Sequence, residues 1–286
     1  MESSDTSGLR WNVCVDGSEI SQDAFNIVFK QLMKENDHIT VSHVFSTSKE
    51  EYLSYKFKPA NIKQDYEAEL IGTPKTKWSM VWDLLEKDLT TKEHLMKIAE
   101  KDNANIMAMG YIGRKGPKED PTLLGSAVEY MAHHPVCPAL IIKRMEKRED
   151  KEDKGFKFLV CCDGSEKSYK ALQETIQIMD KDNDSVSILV VALATINAKT
   201  IEEKTNKILE DAGVAKHIFE KIDRESDEYT HDAICDHINI DTEEYIDFVS
   251  IANQGEGYSH HTEKKYLGKV AKGVLSKSKA NVLMFF

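Results

Sequence analysis

The sequence predicts an α/β fold made of two tandem, doubly wound, open parallel sheets. Three observations predict it. A strand–helix–strand unit near the start returns later in the chain: Asp163 follows Asp16, Asp184 follows Asp37 and Val191 follows Val44, each by 147 positions. The quartet Asp-Gly-Ser-Glu stands at the same corner of both copies, after an apolar run. Between the copies lies Arg144 to Lys154, RMEKREDKEDK, in which every residue but Met145 is charged. A register kept without a gap across strand, helix and strand is the mark of a duplicated domain. The charged stretch reads as a solvated linker, too polar to be buried. The domains are therefore expected over residues 9–145 and 156–286.

Taking the first copy in order, Trp11 to Asp16 is an apolar strand running into Gly17. Ala24, Ile27, Val28, Gln31 and Leu32 then fall on one face of a helix, with Ser18 or Ser21 placed to cap it. Ile39 to Phe45 is the next strand, and strand–helix–strand is the parallel crossover unit. From Ser46 to Pro74 the pattern is loop-like, with a helix over 62–70. Lys77 to Leu84 reads as a strand, Thr90 to Lys101 as an amphipathic helix and Ile106 to Met109 as a buried strand. A closing helix and the strand Ala139 to Lys143 complete the copy. The second copy repeats the plan, with helices over 201–212 and 228–237, strands near 217–222 and 247–252, and a last strand from Val282 to Phe286. Each copy thus holds about five strands and four helices.

Composition sets limits on function. The chain has 286 residues, 41% hydrophobic and 30% charged, as a soluble globular protein of two ordinary domains does. A net charge of −11 argues against nucleic acid, whose binding needs clustered Lys and Arg. No apolar run approaches the roughly 20 residues that span a bilayer, and the polar, acidic MESSDTSG start resembles no targeting peptide. The expected location is the cytoplasm. Five cysteines, none in a Cys-x-x-Cys pair, read as buried thiols rather than disulfides or a zinc site.

The chemistry concentrates between Ile106 and Ser126. Apolar residues open directly into Gly110, Tyr111, Ile112 and Gly113, and Gly125 with Ser126 then begins a helix. Glycines let a backbone approach an anion, and a helix start offers unpaired N–H groups and the positive end of its dipole. Plain turn chemistry would produce the same glycines, so this stretch alone decides nothing. In a doubly wound sheet, however, ligands bind beyond the carboxyl ends of the strands where strand order reverses. That rule gathers Asp16, Val44 and the Gly110 to Ser126 loop at one crevice. Asp16 is suited to accept hydrogen bonds from an amine or hydroxyl, the backbone at His43 and Val44 to read a base edge, and Arg114 with Lys115 to meet phosphate.

These residues resemble the universal stress protein family. Its pattern is a strand ending in Val-Asp-Gly-Ser, a second ending in His-Val, and Gly-x-x-Gly followed, after a spacer of about nine, by Gly-Ser. The first copy carries Val15 to Ser18, His43 with Val44, and Gly110, Gly113, Gly125 and Ser126, with a spacer of eleven residues. The tail from His133 to Lys143 resembles the family's closing helix and strand. The resemblance implies a Rossmann-like or flavodoxin-like domain of strand order 3-2-1-4-5, and ATP, with or without magnesium, as the ligand of motif-bearing members. It implies ligand contacts from Asp16, Val44, Gly110, Gly113, Arg114, Gly125 and Ser126. Members pair through their last strands, so a tandem chain is expected to form an intrachain pseudo-dimer through 139–143 and 282–286. Such proteins are stress-linked regulators rather than enzymes of vigorous turnover.

The second copy keeps Asp163 and Val191. Aligning Gly268 with Gly125 puts Asn253 at the place of Gly110, Glu256 at that of Gly113 and Lys269 at that of Ser126, a degenerate phosphate loop expected to bind no triphosphate. Gly255 and Gly257 lie close enough to serve should that register slip. Two functions stay open at this point: a nucleotide-binding regulator, and an interaction or scaffold module that keeps the fold without the ligand, as a subunit of a larger assembly. Catalysis finds less support. Glu263 stands where a phosphate-binding P-loop needs its first glycine before Lys269, and no Ser, His and Asp set is identifiable from spacing. His133 with His134 read as helix-flanking, His260 with His261 as solvated, and Trp78 with Trp82 as core or interface.

Overall fold

The computed structural model describes residues 8–114, 124–151, 155–192, 197–224, 227–239, 245–255 and 267–286. The chain divides into two compact units between Met145 and Glu146. In the first, β1 (Arg10–Cys14), β2 (His38–Phe45), β3 (Trp78–Leu84), β4 (Ile106–Gly110) and β5 (Ala139–Ile142) form a parallel sheet in the order β3-β2-β1-β4-β5. The strands are joined through α1 (Glu19–Asn26), the short α2 (Thr47–Glu50), α3 (Pro59–Glu69), α4 (Thr91–Lys101) and α5 (Ser126–His133). Right-handed crossovers put α1 and α3 on one face, α4 and α5 on the other. Accordingly Phe25 of α1 meets Tyr66 of α3 edge-on at 5.0 Å, and Lys92 of α4 lies over the Tyr130 ring of α5. A sheet covered on both faces needs continuous apolar strands, and Trp11, Val13, Ile39, Val41, Met107 and Leu140 are all fully buried.

The helix signals act as expected, with small shifts. Ser18 caps α1 by accepting from the Ser21 N–H, and Thr90 caps α4 in a reciprocal box with Glu93. Beyond Asn26 the first helix continues as a π-helical turn, Ile27–Leu32, that buries Ile27, Val28 and Leu32 and leaves Gln31 half-buried. The helix expected over 62–70 starts earlier, with Pro59 at its first position, where its fixed φ and missing N–H suit a helix start.

The second unit repeats the plan with β6 (Lys157–Cys161), α6 (Glu166–Ile178), β7 (Ser185–Ala192), α7 (Ala198–Asp211), β8 (His217–Asp223), α8 (Thr230–Asn239), β9 (Phe248–Ala252), α9 (Lys269–Lys277) and β10 (Asn281–Phe285). Its strand order, β8-β7-β6-β9-β10, is that of the first unit. The duplication holds at the level of register: Trp11 pairs Ile39, and Phe158 pairs Val186 at the same offset. It holds for glycines too. A methyl group on Gly8 would collide with the backbone of Asn36, and one on Gly155 with that of Asn183. Gly155→Ala should therefore cost about 1–3 kcal/mol, the usual range for overpacking. Chemical denaturation of the variant measures it, and a loss below about 0.5 kcal/mol would contradict the close approach.

The linker departs from expectation. It does not run free in solvent: Glu146 is only 5% exposed, and the described linker residues Arg148 and Lys151 are built into the second unit. The reason lies in two buried carboxylates at the start of the strands. In the first unit Asp37 accepts from Leu9 N, Lys34 N and the Trp11 indole, all neutral donors, and Asn105 accepts from Arg10 N. In the second unit Asp184 stands in the place of Asp37 and Asp247 in that of Asn105. Trp11 is replaced by Phe158, which donates nothing, and a neutral amide is replaced by an acid. Arg148 supplies the missing donors to both oxygens of Asp184 and stacks on Phe156, 4.3 Å from its centroid. Lys151 reaches Asp247 at 2.5 Å, Glu146 at 2.7 Å and the Tyr245 hydroxyl at 2.5 Å. A polar segment can be buried when the surface it meets is of opposite charge.

Cys14, Cys162 and Cys235 are buried and Cys137 and Cys161 half-buried, all as free thiols. Burial pushes the Cys14 thiol up to about 12, which leaves it protonated and unreactive at neutral pH. Among the described residues no helix is long and apolar enough to cross a membrane.

Candidate functional site

The crevice of the first unit opens where β1 and β4, adjacent strands with helices on opposite faces, both end. Asp16 stands just beyond β1. Its Oδ1 accepts from the backbone N–H and hydroxyl of Ser18 at 3.0 and 2.6 Å, and its Oδ2 from the backbone N–H of Arg114 at 2.6 Å. Gly17 follows with φ +81°, a conformation that favours glycine, and lies against Ile62 and Phe57.

Gly110, Gly113 and Gly125 are needed for space, since the positive-φ glycines are Gly17, Gly72, Gly164 and Gly213. A methyl group on Gly110 would lie 2.7 Å from Ile20, one on Gly113 3.0 Å from Asp16 Oδ2, and one on Gly125 3.1 Å from Ile112 Cα. Gly125 N–H donates to the Tyr111 carbonyl at 2.8 Å, which closes the neck of the loop. Gly125 is also the N-cap of α5 and offers it no side chain, whereas Ser18, Thr90, Ser165 and Asn197 cap α1, α4, α6 and α7. Among the described residues no side chain caps the start of α5, and Ser126 in its first turn is exposed.

The other side of the crevice is β2. Val15 N–H donates to Ser42 O, and Phe45 O accepts from Leu85 beyond β3. Alternate residues of a central strand turn their backbone groups to opposite neighbours, so those of Val44 point past the end of β1 into the crevice. His43 is buried, and its Nδ1 lies 2.7 Å from Val15 O, so that nitrogen carries the proton. Burial lowers its pKa, which keeps the ring neutral at physiological pH. The imidazole lies 5.2 Å from the Trp82 ring, and the Trp82 indole donates to Pro59 O, which makes Trp82 a packing residue.

These contacts bring Asp16, Gly113, Arg114 and Gly125 together, with Ser126 next to Gly125, Gly110 at the end of β4 and Val44 near the end of β2, but two side chains are not turned as expected. The Asp16 carboxylate is occupied by the protein's own donors, and the Arg114 guanidinium donates to Phe57 O at 3.4 Å and lies 5.1 Å from the Phe57 ring. Phe57, Ile20 and Ile62 are structural parts of the site that the sequence did not reveal. Phe57 sits in the loop-like stretch, where no periodicity marks which side chain turns inward. Lys115 lies outside the described residues, as do His260, His261 and Glu263.

The second crevice corrects the aligned register. Trp11 pairs Ile106 in the first unit, and the equivalent Phe158 pairs Phe248 in the second, so β9 is offset by 142 positions, not 143. The neck agrees: Gly268 N–H donates to Asn253 O as Gly125 N–H does to Tyr111 O. Ala252 thus stands at Gly110 and Gly255 at Gly113, and Glu256, which lies outside the described residues, falls one place further on. A methyl on Gly255 would collide with Asp163 Oδ2, the counterpart of the Gly113 contact. The single-residue insertion falls between Gly255 and Gly268, where an ungapped alignment cannot show it. What has changed is the lip: Lys167 replaces Ile20 and bonds the side chains of Asn253 and Gln254 at 3.1 and 2.9 Å.

Residues 10–143 match the model of the universal stress protein family. The match takes in the first unit, 134 of the chain's 286 residues. The fold relationship extends over both units. A universal stress protein from Archaeoglobus fulgidus DSM 4304, 19% identical, superposes with a TM-score of 0.66 over 96% of this chain and 97% of that one. A functionally unknown protein from Pseudomonas aeruginosa PAO1, 11% identical, gives 0.64 over 98% of this chain and 92% of its own. At these identities the superpositions establish the shared tandem universal stress protein fold. No curated protein matches the sequence.

Proposed function

We propose that the first unit binds ATP or another adenine nucleotide, and that the chain is a cytoplasmic regulatory protein of the stress response. One observation carries the reading: α5 starts from a glycine without a side-chain cap, packed against the Tyr111 to Gly113 backbone at the mouth of the crevice. That is a cradle for phosphate oxygens, with N–H groups and a helix dipole aimed at them. Gly110, Gly113, Gly125 and Ser126 would line the phosphate side, and the Val44 backbone would read the base. Magnesium would enter with the phosphates rather than through a dedicated protein cage. Five free cysteines, three of them buried, support a reducing compartment.

A scaffold role without ligand is favoured by the internal engagement of Asp16 and Arg114. Acid extraction of the purified protein separates the two readings. Adenine nucleotide released at near one per chain, directly or after incubation with ATP, supports binding; none after incubation overturns it.

A further inference from the structure

We infer that Asp16 is a positioning residue rather than a ligand contact, and that Gly113 is small in order to admit it. The inference assigns a role within the nucleotide site and, for its affinity consequences, rests on the reading given above. Three of the roughly four acceptor positions of the Asp16 carboxylate are taken by Ser18 N, Ser18 Oγ and Arg114 N. The first two fix the turn from β1 into α1. The third joins that turn to the phosphate loop, 98 residues further along the chain. The bond to Arg114 is short and charge-assisted, the kind that sets geometry. Asp16 therefore pins one end of the loop while the Gly125 to Tyr111 bond closes the other.

Gly113 completes the pin. Its φ is ordinary, so no backbone conformation demands glycine there. What a side chain would meet is the Asp16 carboxylate at 3.0 Å, not open crevice. The second unit supplies an independent instance. Asp163 Oδ1 accepts from Ser165 N and Oγ at 3.1 and 2.7 Å, and its Oδ2 is the atom that a methyl on Gly255 would strike. The lip residues around this pair differ between the units, Ile20 against Lys167 and Gly110 against Ala252, while the aspartate and its glycine are kept together. The second glycine of Gly-x-x-Gly is then coupled to the first strand, and its spacing follows from the reach of a carboxylate across the crevice.

The test uses the full chain and two readouts. Asp16→Asn keeps an oxygen for Ser18 but faces the Arg114 N–H with an amide donor. Hydrogen exchange over the Tyr111–Arg114 segment should quicken by about tenfold or more, and this is independent of any ligand. Binding of ATP should weaken by about tenfold or more, whereas binding of adenosine, which has no phosphate to position, should change less than about twofold. Gly113→Ala approaches the contact from the other side: it should weaken ATP binding in the wild-type background and have no further effect beside Asp16→Ala. Unchanged exchange, an equal loss of adenosine and ATP affinity, or a Gly113→Ala effect that persists without Asp16 would each overturn the inference. Failure of the unmodified chain to bind ATP defeats the nucleotide reading, and the exchange measurement then still decides the pin.

Discussion

Lys151→Met should lower the stability of the second unit by about 3–5 kcal/mol at pH 7.5, the cost of stripping the cation from a buried ionic cluster. Lys151 binds two carboxylates that are 5% and 1% exposed, Glu146 and Asp247, and its own side chain is 13% exposed. Little water reaches the site, so neither acid can recover by solvation. The pH dependence follows from Asp247. Burial raises its carboxyl to about 6, although Lys151 and the Lys157 N–H pull it down. The folded state thus holds a proton more readily than the unfolded chain, whose aspartate titrates near about 4. Stability contributed by this group accordingly falls as pH rises through that window and levels off above it. Removing Lys151 moves the folded value higher and extends the falling limb, so the variant should lose more stability than wild type between pH 5.5 and 7.5. Urea melts at both pH values measure this; a loss under about 1 kcal/mol with no added pH dependence would show the clasp to be ornamental. A fragment that begins at Phe156 lacks Arg148 and Lys151 and should be weakened in the same way.

Gly125→Val should abolish stabilisation by ATP in thermal melts. A β-branched side chain at this position must push against Ile112 Cα, the Tyr111 carbonyl and Gly113 N, which lie 3.1, 3.2 and 3.4 Å from the first added carbon. The neck of the loop opens and the start of α5 moves away from the backbone it now abuts. Wild type, at a ligand concentration 100 times the dissociation constant, should gain about 2.7 kcal/mol. The variant should gain nothing measurable while keeping a cooperative melt, because the change lies at the rim and leaves the sheet intact. An equal gain in both would place the nucleotide elsewhere.

Much of the fold was legible because its signals are local or repeated. Strands β4, β5, β9 and β10 are apolar on both faces, Ser18 and Thr90 cap as their chemistry requires, and the offset of 147 carries β1, α1 and β2 into the second unit. The strand-end residues and glycines of the loop were legible for the same reason, since such positions announce themselves. Their roles were not. That Asp16 bonds Arg114, and that Gly113 makes room for it, are facts of tertiary distance that spacing does not encode. The linker misled because charge was weighed without its counterpart: Asp184 and Asp247 are unremarkable in sequence and become decisive only where strand starts bring them beneath Arg148 and Lys151. The second loop misled through one inserted residue, invisible until pairing with β6 fixed the register of β9.

Equilibrium dialysis of the full chain against labelled ATP tests the central claim most directly. A saturable site in the wild type that disappears in Gly125→Val is the predicted result. No saturable binding up to about 1 mM, well above the range expected of a specific nucleotide site, or a site indifferent to Gly125→Val, would contradict it.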